Sequence, residues 1–412
     1  MTRLDLSRLR NSIAADAALR RRQRLQPVGG KGDKIFPPTY PGEGRNAPPR
    51  HVYERRRLEG KDVWCVLVDS VQSQANRLEE CLLGAIADGV LIPHVVVDFS
   101  DAGLEGITQI TSLDAPHRIY DAILRDSLLG DEPFMESAVG KRLAKARPDD
   151  ASAVLEVSPS ALVFGAWHST GEGGGLGAKF ARCLTSEIVG IDVPMEELTD
   201  ARTGEVEFRT AGRRTGSRID PLGVLRKVEV FKGENGWSTT EAEAGKKAKK
   251  VRPSEINHGN ITPSVQPLGV TCEYLEHTFV LSFAALRRLR FGGDERNTAA
   301  HTLLGALGLL ALVEQDARGY ALRSRCDLVC EHSAPLELVH PDGSIEAISI
   351  DRSTVHRLYG EAVEAARSAG FNLSIEPLRL TPQPKLVEIV RKSQELALQG
   401  AGGEENGGAG EE

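Results

Sequence analysis

An α+β fold is predicted by three observations. Residues 63–68 form an uninterrupted apolar run that passes at once into an amphipathic helical pattern. A second strand–helix–strand series lies late in the chain, across residues 268–331. Between the two lie long stretches in which no period dominates, the pattern of insertions in a mixed fold.

The elements follow in order. Residues 1–50 combine a basic, helix-like start (Leu19 to Leu25, with Arg20, Arg21 and Arg22) with a Gly/Pro stretch, residues 27–49, that reads as extended loop. Regular structure is expected from about Asp62, where residues 63–68 read as a strand buried on both faces. Val71, Ala75, Leu78, Leu82, Ala85 and Ile86 then recur at helical spacing, with Asp69 or Ser70 as N-cap and Gly89 as terminator. Residues 94–97 read as a strand, and residues 116–129 as a helix with Pro116 in its first turn. Residues 161–167 read as a strand, running through a glycine-rich loop, Gly171 to Gly177, into a helix over 178–189.

Residues 200–260 change character. Short β-like pieces at 205–210 and 227–231 flank a polar stretch, 233–250, expected to be a mobile or functional loop. Residues 268–283 read as one or two strands, 297–315 as a strongly apolar helix, 321–331 as a strand and 355–369 as a last helix. From Gln399 the chain is Gly/Glu-rich, a composition expected to be disordered. This string fits an elaborated ferredoxin-like (RRM-like) fold or a parallel α/β sheet, and pattern alone leaves both open.

The chain has 412 residues, 40% hydrophobic and 26% charged, an ordinary globular composition. Its longest apolar run, residues 303–313, falls short of the roughly 20 residues a bilayer demands. The first residues lack the apolar core of a signal peptide, so a cytoplasmic protein with no membrane partner is expected. Cysteines 65, 81, 183, 272, 326 and 330 lie far apart, as reduced buried thiols rather than a disulfide framework. Net charge is −7, yet residues 1–50 carry +7 by themselves. A protein gripping a polyanion needs local positive potential rather than a positive total.

Three stretches carry a resemblance: Leu67-Val68-Asp69-Ser70-Val71-Gln72-Ser73-Gln74-Ala75-Asn76-Arg77-Leu78-Glu79; Leu162-Val163-Phe164-Gly165-Ala166-Trp167-His168-Ser169 with its glycine-rich sequel; and Asn257-His258-Gly259-Asn260-Ile261-Thr262-Pro263. Together, over roughly residues 25–335, the sequence resembles the RAMP-superfamily, Cas-seven-like backbone subunit of type I-U (I-G) CRISPR Cascade complexes. The resemblance implies an RRM-like palm with inserted finger and thumb segments. The implied division is a basic N-terminal segment (1–50), a RAMP domain (51–398) with a thumb-like insertion near 200–260, and a tail (399–412). It implies a non-catalytic subunit that polymerises along guide RNA (crRNA) and presents its bases for pairing with target DNA. Further copies and other Cascade subunits are then its protein partners. Related type III subunits cut target RNA with an Asp; Asp69, Asp98 and Asp114 do not align with that residue.

Each candidate site has a plain structural reading beside the functional one. Gln72, Ser73, Asn76 and Arg77 open the first helix, where amides and polar side chains hold phosphate or ribose. On residues alone a capped, solvated helix start is the favoured reading; the resemblance assigns them to RNA. His168, Ser169, Lys179 and Arg182 flank the glycine loop. That loop is either a phosphate cradle or a flexible connection, and a nucleotide-binding enzyme using it is the alternative function. It lacks the Walker A pattern, since Phe180 follows Lys179, although Gly173, Gly175 and Ala178 with Asp192 meet dinucleotide spacing. Lys246, Lys247, Lys249, Lys250 and Arg252 are the densest positive cluster, an RNA or DNA clamp or a solvated charge run. Arg287, Arg288 and Arg290 line a groove or face solvent.

Cys326, Cys330 and His332 fall short of a tetrahedral metal set, and Leu328 among them points to a buried strand. No Gly-x-Ser-x-Gly elbow accompanies Ser169 beside His168. No catalytic residue, metal or cofactor is expected.

Overall fold

Alternation of inward and outward side chains sets the central sheet. The computed structural model describes residues 2–42, 49–168, 179–204, 206–210, 214–266, 268–374 and 376–400. The chain divides into two compact units. The first holds Met1–Lys31, Leu67–Ile191 and Glu273–Glu395, and the second Gly32–Val66, Asp192–Cys272 and Leu396–Glu412.

In the first unit, helix α1 (Leu6–Ala15) is capped by Asp5, whose carboxylate accepts from the Arg8 amide at 2.8 Å. Strand β1 (Ala18–Pro27) follows, where a helix-like start over Leu19 to Leu25 was expected. Leu19, Arg21, Gln23 and Leu25 all point inward. The period of two is hidden in the sequence because half of those inward positions are polar. Arg21 is matched by Asp316, and Gln23 by backbone groups of Arg24 and Ala334. Strand β2 (Lys61–Asp69) delivers its last three residues to this unit and runs into α2 (Val71–Ala87). Ser70 is the cap, accepting from the Ser73 amide at 3.2 Å, and Gly89 beyond the helix has φ +93°.

The expected strand over 161–167 is instead a buried helix, Ser160–Phe164, followed by a two-residue strand. A short apolar run does not distinguish the two by periodicity. The expected helix over 178–189 is corrected to strand β3 (Leu184–Ile191). Its inward positions include Ser186, and Val189 and Ile191 are buried as well, so no simple alternation marks it. Strand β4 (Tyr274–Ser282) alternates regularly and leads to α3 (Asp294–Arg318), in which every residue from Ala300 to Gln315 is buried. By length and composition α3 is apolar enough to span a membrane, but its apolar window is 83% buried, the mark of a core helix. The hairpin β5 (Tyr320–Arg323) and β6 (Cys326–Cys330) comes next, then α4 (Arg352–Ser368) packed on α3.

The sheet core runs β6–β1–β4–β3, antiparallel throughout. Leu19 faces Leu281 and Arg21 faces Phe279 across β1 and β4, while Ser186 faces Phe279 and Ile188 faces His277 across β4 and β3. Along the chain the order is β1, α2, β3, β4, α3, β6, and α2 and α3 pack side by side. The architecture is therefore mixed α+β. Cys326 and Leu328 lie on the buried face of β6, as their spacing implies, and Cys65, Cys81, Cys183 and Cys326 are buried and not in disulfides. Val95–Asp98 joins a second sheet beside Leu378–Pro382. The helix expected over 116–129 is broken into a 3₁₀ turn, a four-residue helix and strand Ser127–Leu129; Arg118 at φ +53° and Asp121, extended and capping the next helix, interrupt it.

The second unit is built of hairpins. Tyr53–Leu58 pairs with β2 through a two-residue turn whose Glu59 and Gly60 both have positive φ. Met195–Thr199 pairs with Val206–Thr210, and Arg214–Arg218 with Ile261–Gln266. The stretch 233–250, expected to be a loop, contributes to a three-stranded sheet of Val230–Gly233, Gly236–Ser238 and Lys249–Val251, with a helical turn at Glu241–Ala244. Its core is small, chiefly Val230 and Ala244, so little apolar periodicity reaches the sequence.

Candidate nucleic-acid interface

At the end of β2, Asp69 is fully buried, and its two oxygens accept four hydrogen bonds. Oδ1 takes Ser73 Oγ at 2.8 Å and Arg323 Nη2 at 3.0 Å. Oδ2 takes Gln74 Nε2 at 2.7 Å and Arg77 Nε at 2.9 Å. Arg77 also donates to the Leu322 carbonyl at 2.6 Å, and Arg323 to that of Val68 at 2.9 Å. Two guanidiniums thus share one carboxylate at the positive end of a 17-residue helix, and each remains about one quarter exposed. Two guanidiniums on one carboxylate leave a net positive charge on partly exposed side chains, an arrangement suited to an anion.

The four residues predicted on α2 separate by role. Gln72 and Asn76 are exposed, one turn apart on one face, free to meet a ligand. Ser73 and Arg77 are held by Asp69. Sequence reasoning missed Arg323, because its partner lies 254 residues away. It also missed the buried polar chain behind α2. Gln74 Oε1 accepts from Ser186 Oγ at 3.0 Å and Gln315 Nε2 at 3.1 Å. Ser186 Oγ lies 2.7 Å from His277 Nε2, and His277 Nδ1 lies 3.2 Å from the Tyr320 hydroxyl, which donates to Asp316 at 2.7 Å. Burial, followed by the charge of Arg21, lowers the His277 pKa to about 3, so the ring is neutral. A His and a Gln among apolar neighbours gave no signal of this chain.

Around the glycine-rich loop, Ser169 and Gly171 to Gly177 lie outside the described residues. His168 is buried and stacks on Tyr120, rings 4.9 Å apart and 7° from parallel, with its pKa lowered by burial and then by Arg147. The imidazole predicted to contact RNA is thus enclosed among the described residues and packed on an aromatic ring. Lys179 is exposed. Arg182 is half-buried and donates to the Phe164 carbonyl at 3.0 Å. Gly165 has φ +86°, and a Cβ there would stand 2.8 Å from Arg182 Cγ, so the close approach requires glycine. Nearby, Glu79 and Arg118 form a buried bidentate pair at 2.7 and 2.6 Å, and Arg118 also donates to the Gly165 carbonyl. Burial pushes the Glu79 carboxyl up to about 7 against the pull of Arg118.

In the second unit Lys246, Lys247, Lys249, Lys250 and Arg252 are all exposed, with Lys250 paired to Glu229. Trp237 is exposed and meets His258 edge-on at 5.5 Å. Ile219, Leu222 and Leu225 project at 83%, 73% and 71% exposure, beside Arg218, Arg226 and Lys227. Asp220 ties this segment down through the Leu222 and Val224 amides, both at 3.0 Å. Exposed apolar tips between cations suit insertion beside nucleic-acid bases. Their spacing of three would suit a helix face, but Pro221 and Gly223 between them break a helix, so no element marks them in the sequence.

No curated protein matches the chain. Residues 19–195, β1 through β3 and the segments between them, are similar to the family model described as CRISPR-associated protein GSU0053.

Proposed function

We propose that this protein is a non-catalytic, guide-RNA-binding backbone subunit of a type I-U (I-G) CRISPR effector complex, polymerising along crRNA and presenting its bases to target DNA. The family match supports a role in CRISPR defence. The observation that carries the RNA-binding reading is the Asp69 cluster: Arg77 and Arg323 fixed by one saturated carboxylate, beside exposed Gln72 and Asn76. Such a surface contacts phosphate and ribose and leaves base identity unread, as a strand of variable sequence demands.

The order β1, α2, β3, β4, α3, β6 with sheet order β6–β1–β4–β3 supports an RRM-like, RAMP-type palm. The hairpins of the second unit, with their lysines and the Ile219–Leu222–Leu225 tips, stand as the inserted finger- and thumb-like segments.

The test is expression with and without a CRISPR guide transcript, followed by assay of co-purifying nucleic acid. Protected guide RNA in a large, salt-sensitive particle, weakened by Asn76→Ala with Arg77→Ala, is the expected result. A nucleic-acid-free monomer under both conditions at low salt would sink the reading.

A further inference from the structure

A cleft of about 380 Å³ opens between α2, α3 and β5, beside the Asp69 cluster. Tyr320, Leu322 and Cys81 give it apolar walls, and Arg77, Arg318 and Gln315 supply polar groups. Its size is within the range of small-ligand pockets, and its lining mixes apolar and polar groups, with Arg77, Glu80, Gln315 and Arg318 converging on it.

Gln315 is buried, and its Nε2 is spent on Gln74, but its Oε1 has no hydrogen-bond partner among the described residues. An acceptor left unmet is costly, and a ligand bringing an N–H donor removes the cost. Arg77 uses Nε and Nη2 on Asp69 and Leu322, and no described residue takes its Nη1. Arg318 directs Nη2 to Asp88 at 3.2 Å and lies 3.6 Å from Glu314, with its side chain 39% exposed. Its guanidinium lies against Gly84, where a Cβ would stand 2.3 Å from Cζ, so a side chain there would push the guanidinium aside. Glu80 at the rim adds a second acceptor.

We propose that this cleft receives one nucleotide unit of single-stranded RNA, an inference that rests on the RNA-binding reading above. Arg77 and Arg318 hold the phosphate, the base lies against Tyr320 and Leu322, and a donor edge such as an exocyclic amine meets Gln315. Planar guanidiniums and aromatic walls are the usual partners of an unstacked base. Glu80 favours the donor edge and disfavours a second phosphate in the cleft, which selects a monophosphate unit.

The full chain is titrated with adenosine 5′-monophosphate by ligand-observed NMR, and separately with a single-stranded RNA by filter binding. Ala321→Trp fills the cleft from an exposed position, and Arg318→Gln removes a phosphate partner without adding bulk. Expected are saturable mononucleotide binding, competed by the RNA, and at least a tenfold loss in both variants with melting temperatures unchanged. RNA bound equally by wild type and variants, with no mononucleotide binding, would overturn the cleft and leave the RNA-binding reading standing. Mononucleotide bound without RNA would overturn this proposal together with the RNA-binding reading and assign the cleft to a free nucleotide. Saturable binding of argininamide in place of the mononucleotide would assign the cleft to a partner's basic side chain and overturn the proposal.

Discussion

Asp69 is the residue on which the candidate surface turns. A buried carboxylate with four donors holds two arginines in place, and removing it leaves both without their shared anion. Breaking such a pair costs roughly 3–5 kcal/mol. Asp69→Ala is therefore expected to lower stability by about that amount in urea melts, and RNA binding with it. Asn76→Ala touches only solvent and is expected to leave stability within about 0.5 kcal/mol while weakening RNA capture. Equal stability losses in the two variants would contradict this division of labour. At this scale the sequence was informative about α2, whose polar opening is continuous in the chain. It was silent about Arg323 and about the enclosure of His168, which depend on partners far away in sequence.

The elements divide by how regular their burial is. Helices α2, α3 and α4 bury one stripe or their whole circumference, so they stand out by periodicity. Strands β1 and β3 carry Arg21, Gln23 and Ser186 at inward positions, and those polar residues erase the alternation. The buried chain through β3, β4 and α3 has a measurable consequence. His277 binds its proton near the ordinary histidine value when unfolded and only near pH 3 when folded. Above the ordinary value both states are neutral and nothing is lost. As pH falls from there toward 3 the unfolded chain alone takes up the proton, so stability falls by about 1.4 kcal/mol per unit. His277→Gln is expected to be less stable at pH 7 yet to show a flatter acid limb, read from melts between pH 7 and 4. An unchanged slope would exclude His277 as its source. On the hairpin sheet of the second unit, Lys246→Ala with Lys249→Ala is expected to reduce the salt slope of RNA binding by about 0.7 for each phosphate those lysines neutralise. A parallel slope at lower affinity would place them off the RNA.

For the whole molecule, the two units differ in how they are built. The first surrounds α3 and buries an extensive core, whereas the second rests on small hairpins with exposed apolar tips and exposed lysines. A loop reading of 233–250 was the natural outcome of that composition, and only cross-strand pairing shows the sheet. By itself the sequence determined a fold mixing strands and helices, the helices α2, α3 and α4, the buried run ahead of Asp69 and the local chemistry of the α2 start. These are settled by periods of two to four residues and by caps adjacent in the chain. Tertiary structure alone decided that β1 and β3 are strands, that Arg323 joins Arg77 on Asp69, and that Gln315 reaches a cleft edge. Those outcomes depend on which distant groups satisfy buried charges and amides, and such compensation leaves no periodic trace along the chain.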